Sequence, residues 1–443
     1  MASPLDDVAT IPQVQVPTED PLGVFRHDRL PGWALVHRSL DASEIQDVDA
    51  AVRSALGAVA GTIRPGMRVA IAAGSRGIDR IDEVVTAAVR VLREAGADVF
   101  VIPAMGSHGG ATAVGQVEVL ASLGMTPERI GCEIRASMDT IRLGEVEGGV
   151  PVFIDRIALE EADLIVPVNR VKPHTDFTGP VESGLLKMIA IGLGKQKGAD
   201  TFHGRGFDAF AELIPTVAAF TLAHAPIPFG LALVENGYAR LRRIEAVPAA
   251  TMDSRERELR DEADDLLARL PFEQLDVLVI DRIGKDISGL GMDSNVVGRY
   301  YSGPTGRSPA IQRIFVRDLT DETEGNAVGI GMADVVHRRA VERMDAAKTY
   351  MNCVTAKTPE GARIALTVGS DRQGLDLALA SCLRIDPATA CIARIRDTKH
   401  LEWFLASEPL LADIRDRADC EIQGEPAPIG FDATDGFLDA LPG

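Results

Sequence analysis

The chain has 443 residues, 46% hydrophobic and 25% charged, an ordinary globular composition with room for two or three domains. Its 46 basic and 65 acidic residues leave a formal net charge of −19, which argues against nucleic acid or an anionic membrane as partner. Five cysteines (Cys132, Cys353, Cys382, Cys391, Cys420), odd in number and without a CxxC pair, suit a reducing compartment and exclude a disulfide framework or a thiolate zinc site.

In chain order, Met1 to Asp20 is acidic, contains Pro and lacks an apolar core, so no signal peptide is expected. No run of 18 apolar residues follows, so no transmembrane helix is expected and the protein is placed in the cytoplasm. Met67 to Ala73 reads as a buried strand ending in Gly74-Ser75-Arg76-Gly77, and Ile81 to Ala95 has helical spacing stopped by Gly96. Asp98 to Pro103 is the next strand and runs into Gly106-Ser107-His108-Gly109-Gly110. Strand, helix and strand with short glycine turns form a βαβ unit, whose ligands gather at the carboxyl ends of the strands.

Ala162 to Val168 is another buried strand, feeding Asn169-Arg170-Val171-Lys172-Pro173-His174. Ser183 to Ile191 is expected to be helical and to end at Gly192-Leu193-Gly194. Phe229 to Val234 is a strand, and Thr251 to Leu270 a charged amphipathic helix. Pro271 opens a second unit with the strand Leu275 to Ile280, a long Gly- and Ser-rich loop over 286–309, and a helix around Met332 to Met344. A strand at Arg363 to Val368, a helix over Leu375 to Leu383 and a last strand at Cys391 to Ile395 complete it. The expected architecture is two α/β domains with parallel-rich sheets, residues 1–270 and 271–415, with the active site in the cleft between them. Residues 416–443 form a tail that packs back, its Pro- and Gly-rich stretch from Glu421 only loosely.

Three of the eight histidines and one lysine in an apolar run lie in or beside glycine-rich turns. Imidazole and amine groups titrate, ligate metals or form covalent links, and glycine lets backbone approach a ligand closely. Ser75 and Arg76 sit at a strand end before a helix, where backbone N–H groups and a guanidinium suit a phosphate or carboxylate; an ordinary tight turn with a surface arginine is the plainer alternative. His108 and His174 follow two strand ends and are either turn residues or a pair of proton acceptors facing one crevice. Lys187 lies in Gly184-Leu185-Leu186-Lys187-Met188-Ile189, where an unpaired ammonium is costly, so it is snorkelling, ion-paired or covalently modified. His203, sixteen residues on and beside Gly204-Arg205-Gly206, is placed either as a loop residue or as a metal ligand.

These motifs resemble the nickel-pincer nucleotide-dependent lactate racemase family. That family carries a histidine after a glycine at a strand end, then Lys-x-His, then a Ser-Gly run ending in Lys, then His. Here the same order is Gly106-Ser107-His108, Lys172-Pro173-His174, Ser183-Gly184-Leu185-Leu186-Lys187 and His203. The resemblance implies that Lys187 links covalently to a pyridinium mononucleotide with two sulfur donors, and that His203 completes its nickel site. It also implies that His108 and His174 take the substrate hydroxyl proton from either face, and that Arg76 orients the substrate. Ser75, Ser183 and Gly184 fall on the cofactor side, with Arg76.

In the second domain, Gly291-Met292-Asp293-Ser294-Asn295-Val296-Val297-Gly298 keeps Asp293 and Asn295 of the family's Pro-x-Asp-x-Asn-x-Tyr-Gln motif. It places Val297 and Gly298 at the Tyr-Gln positions. Tyr301 falls where the substrate-contacting lysine aligns, with Asn295 and Arg299 the remaining candidates for substrate. The implied activity is a racemase or epimerase, an isomerase of a 2-hydroxy acid or sugar acid other than lactate, whose cofactor arrives from cofactor-synthesis enzymes. Two rivals stand beside it: a zinc hydrolase using His108, His174 and His203, and a non-catalytic cofactor- or metabolite-binding homologue.

Overall fold

The strands Arg68–Ala73 and Asp98–Pro103 are apolar on both faces, and each buries every residue after its first. Only a sheet covered on both sides accommodates such strands. The computed structural model describes residues 23–75, 77–301, 303–306 and 308–442, which divide into two units. One is Asp41–Leu267; the other joins the described part of Met1–Leu40 to that of Ala268–Gly443.

The sheet of the first unit has five strands in the order Asp98–Pro103, Arg68–Ala73, Leu164–Arg170, Phe229–Glu235, Leu241–Pro248. The first four are mutually parallel and the last is antiparallel. Ala73 pairs with Pro103 on one side and Val168 on the other, so three strands deliver their following loops along one edge. Alternation along Arg68–Ala73 sends Val69, Ile71 and Ala73 to a core shared with Val84, Val85 and Leu92 of the helix Ile81–Glu94. Ala70 and Ala72 face the opposite core, which holds Ile214 and Val217 of Phe210–His224 and Leu259 of Met252–Leu266. Each large side chain so buried contributes about 1.5–3 kcal/mol. A hairpin, Thr140–Val146 with Val150–Asp155, lies outside the sheet and is absent from the sequence expectation.

The other unit has an eight-stranded sheet in the order Leu366–Val368, Val335–His337, Ala310–Val316, Gln274–Ile280, Ile392–Ile395, Trp403–Ser407, Gly32–Arg38, Cys420–Pro428. Its first five strands are parallel and the rest antiparallel.

This topology corrects the expected boundaries. Gly32–Arg38 does not belong with an N-terminal domain over 1–270, because its backbone pairs with Trp403–Ser407 and Cys420–Pro428. Ile392–Ile395 is not the last strand, and the tail is not loose: Cys420–Pro428 closes the sheet edge, and Trp33 Nε1 donates to Asp439 at 2.9 Å. The expected helix around Met332 to Met344 is the strand Val335–His337 followed by the short helix Arg338–Glu342. Within the 286–309 loop lies a short helix, Ser294–Val297, capped by the Asp293 carboxylate. Among the described residues no single helix is long and apolar enough to cross a membrane.

Candidate active site

Three strand ends on the carboxyl edge of the five-stranded sheet carry the candidate residues. Arg68–Ala73 leads into Gly74-Ser75, Asp98–Pro103 into the His108 turn, and Leu164–Arg170 into the His174 turn. Arg76 lies outside the described residues. Ser75 Oγ meets His108 Nδ1 in a hydrogen-bonding contact, so the serine placed on the cofactor side by resemblance touches a candidate base. Gly74 is pressed against Met188, with room for a Cβ only 3.2 Å from Met188 Cε, which sets this strand end beside the Lys187 segment.

The Lys187 segment is helical from Leu185, two residues later than the expected start at Ser183, and not uniformly α. Leu185–Lys187 is one α-turn, and Met188–Gly192 is a π-turn in which Leu193 N–H donates to Met188 O at 2.8 Å. Such widened turns cluster at functional sites. Gly192 is required there, since a Cβ would stand 2.6 Å from Ala104 O. The Ser183 backbone pairs with that of Lys172, tying the Lys187 segment to the His174 turn through bonds of 3.0 and 3.1 Å. Gly184 has a structural reason of its own: a Cβ would lie 2.3 Å from Glu256 Oε1.

Lys187 Nζ contacts His174 Nε2 and lies 5.9 Å from the Phe177 ring centroid. The His174 ring stacks on Phe177 at 4.4 Å, and Phe177 packs in turn on Phe207 and Phe210. His203, at the end of the helix Lys195–His203, packs on the same two rings, each at 5.5 Å. Phe177, Phe207 and Phe210 therefore form one aromatic wall that gathers His174, Lys187 and His203. Sequence reasoning missed this wall, because Phe177, Phe207 and Phe210 come from separate segments and share no periodic signal.

Two buried carboxylates hold the turns. Glu182 accepts the N–H of His174 at 2.5 Å and that of Gly179 at 3.1 Å, with Arg260 Nη1 3.8 Å away. Glu256 accepts Leu186 N–H at 3.0 Å at the start of the Lys187 turn; burial pushes its carboxyl up to about 7 against the pull of the Leu186 and Leu185 amides. The amides that open this turn are thus already paired. Arg260 and Glu256 both belong to Met252–Leu266, the helix expected from its charges to be half solvated.

The candidates in the other unit behave differently. Arg299 donates to Met332 O at 3.0 Å, Asp334 Oδ2 at 2.6 Å, Ile311 O at 3.0 Å and Gln312 O at 3.1 Å. Its guanidinium joins three backbone carbonyls and the Asp334 carboxylate, a structural engagement beside its expected role toward substrate. Asn295 is buried and its Nδ2 donates to Asp293 Oδ1 at 2.9 Å.

Among the described residues no three His, Cys, Asp or Glu side chains group to hold a metal, so His108, His174 and His203 do not form a zinc triad. Lys187 and His203 offer one amine and one imidazole against the same aromatic wall, the groups a covalently held, metal-bearing cofactor would take from the protein.

Comparison with known proteins bears on this edge of the sheet. No curated protein sequence matches the chain. Among solved structures, the lactate racemase apoprotein from Thermoanaerobacterium thermosaccharolyticum aligns with 14% identity and a TM-score of 0.41, over 84% of this chain and 89% of that one. The lactate racemase N-terminal domain family matches residues 15–211, a span that contains Ser75, His108, His174, Lys187 and His203. This region of the chain is thus similar to lactate racemase N-terminal domains.

Proposed function

We propose that the protein is a racemase or epimerase of a 2-hydroxy acid other than lactate, with His108 and His174 as the two proton acceptors. The observation that carries this reading is the gathering of His174, Lys187 and His203 on one aromatic wall, beside the strand end where Ser75 meets His108. Lys187 would hold a nickel-pincer nucleotide through its amine and His203 would ligate its nickel; when bound, that group supplies a hydride acceptor. The chain's own part is orientation and proton transfer. One imidazole takes the hydroxyl proton of one stereoisomer, and the other gives a proton to the ketone oxygen when hydride returns to the opposite face. The Phe177 wall limits water beside His174. A substrate other than lactate follows from the second-domain motif, where Val297 and Tyr301 replace the family's Tyr and Lys and Arg299 is tied to backbone carbonyls.

The test is intact-mass and nickel analysis of protein co-expressed with cofactor-synthesis enzymes, followed by a screen of 2-hydroxy acids and sugar acids for change of configuration. Added mass on the Lys187 peptide, nickel lost in His203→Ala, and interconversion of one acid are expected. An unmodified Lys187 in a chain that still racemises would sink the covalent role.

A further inference from the structure

Lys195 is fully buried at the start of the helix Lys195–His203, between Gly194 and Gly198. Its Nζ lies 2.7 Å from Asp155 Oδ2, 2.5 Å from Pro103 O and 3.2 Å from Gln116 Oε1. Two hydrogen-bond acceptors and an ion pair with the Asp155 carboxylate surround the ammonium, which is how a buried charge is tolerated. Burial lowers the pKa of the amine, and Asp155 opposes that shift. The backbone of Lys195 is left-handed, φ 52°, a conformation that disfavours any side chain but glycine and persists only where the surroundings impose it.

Each partner leads toward His108. Pro103 is the last residue of the strand that delivers the His108 turn. Gln116, also fully buried, passes the connection on: its Nε2 donates to Gly106 O at 2.9 Å and His108 O at 3.3 Å. On the far side Gly106 N–H donates to Gly192 O at 3.2 Å, so the turn is held between the π-turn and Gln116. Asp155 is fixed independently, since its other oxygen accepts Ala158 N–H at 3.0 Å and caps the helix Arg156–Glu161.

We propose that Lys195, acting through Gln116, is a positioning residue that fixes the His108 turn so that the imidazole meets its substrate in one orientation. This role rests on His108 being a proton acceptor in the proposed reaction. Lys195 touches no reacting atom, and its effect is geometric: displacement of a proton acceptor by about 1 Å lowers turnover on the order of 10²-fold.

Two variants test this in the full chain. Lys195→Met removes the ammonium. Gln116→Glu keeps an acceptor for Lys195 but replaces the N–H donor with a carboxylate facing the carbonyls of Gly106 and His108, so it reports even if Lys195→Met fails to fold. Spectra of 13C-histidine-labelled protein, with His108, His174 and His203 assigned by single substitution, are expected to show the His108 signal shifted or broadened in both variants. Those of His174 and His203 should stay in place. On the acid found in the screen, kcat should fall roughly 10²-fold with KM changed less than about threefold, a split that general loosening would not give. The double variant should lose little more than either single one, since both cut the same connection. Folded variants with the wild-type His108 signal overturn the proposal. Wild-type protein that turns over no hydroxy acid overturns the function instead, and the His108 signal then decides the role of Lys195 by itself.

Discussion

Nε2 of His174 contacts Nζ of Lys187, while Nδ1 of the same ring accepts the N–H of Asp176 at 3.0 Å. A neutral imidazole has one donor and one acceptor nitrogen. With Nδ1 as acceptor, the proton sits on Nε2, which has no lone pair for a substrate and bonds Lys187 only when that amine is neutral; an ammonium at Lys187 donates to Nε2 and so favours the proton on Nδ1. The tautomer that offers Nε2 as a base carries its proton on Nδ1, 3.7 Å from the Asp176 carboxylate. Asp176 thus holds one group for each tautomer: its N–H for the first and its carboxylate for the second.

Asp176→Asn is therefore expected to slow proton transfer through His174 while leaving the fold intact, because the carboxylate that favours Nδ1–H is gone and the backbone N–H remains. A fall of roughly tenfold or more in kcat, with the Nδ1-protonated form of His174 diminished in 15N spectra, is the expected pair of results. An unchanged tautomer ratio would remove Asp176 from the mechanism.

The arrangement was legible in the sequence where local pattern and topology agree. Arg68–Ala73 and Asp98–Pro103 are continuous apolar runs closed by glycine turns, so their type, order and carboxyl ends follow from the residues alone. Gly32–Arg38 was not legible as part of the C-terminal sheet, since its partners lie some hundreds of residues away and nothing in GWALVHR names them. Lys195, Gln116 and Asp155 were missed for a related reason: each is an ordinary polar residue in its own segment, and only their convergence makes them a buried network. Arg299 is the converse case. A cation near a substrate motif invites a substrate role, but its four acceptors are backbone carbonyls and Asp334.

Glu256 predicts a pH effect. Its carboxyl is buried over Gly184 and titrates near 7, against a usual value of 4.5. The folded protein then binds the proton more tightly than the unfolded chain. The stabilising contribution is full below about pH 4.5 and is lost as pH rises through 7, on the order of 3 kcal/mol in all. Glu256→Gln cannot ionise, so its thermal midpoint should fall less than that of wild type between pH 5 and pH 8. Parallel curves for the two proteins would show that the carboxyl does not titrate in this window.

Arg299→Ala should act on stability. It leaves Asp334 without its guanidinium and removes a donor from the Met332, Ile311 and Gln312 carbonyls, of which Gln312 O keeps Arg313 Nη1 at 2.7 Å, a loss of about 2–4 kcal/mol. Urea unfolding should report this as a lower midpoint, with cofactor attachment at Lys187 unchanged. A variant of wild-type stability that loses affinity for substrate would restore the role toward substrate that the sequence suggested.

His108 and His174 are predicted to fail together. Each stands at the end of a different strand, one paired with Ser75 and the other stacked on Phe177, so neither can take the other's place on the opposite face of a substrate. A full cycle uses both, and each single alanine variant should lose interconversion in both directions by roughly 10²–10⁴-fold. Cofactor mass and nickel content should persist in both variants, since Lys187 and His203 remain. The two directions separate before the cycle closes: His108→Ala should still oxidise, in a single turnover, only the stereoisomer whose proton goes to His174, and His174→Ala only the other. Measured with each enantiomer in turn, this gives opposite preferences for the two variants. If instead both variants keep the same preferred enantiomer, the histidines serve one face, and the second proton acceptor lies elsewhere on this edge of the sheet.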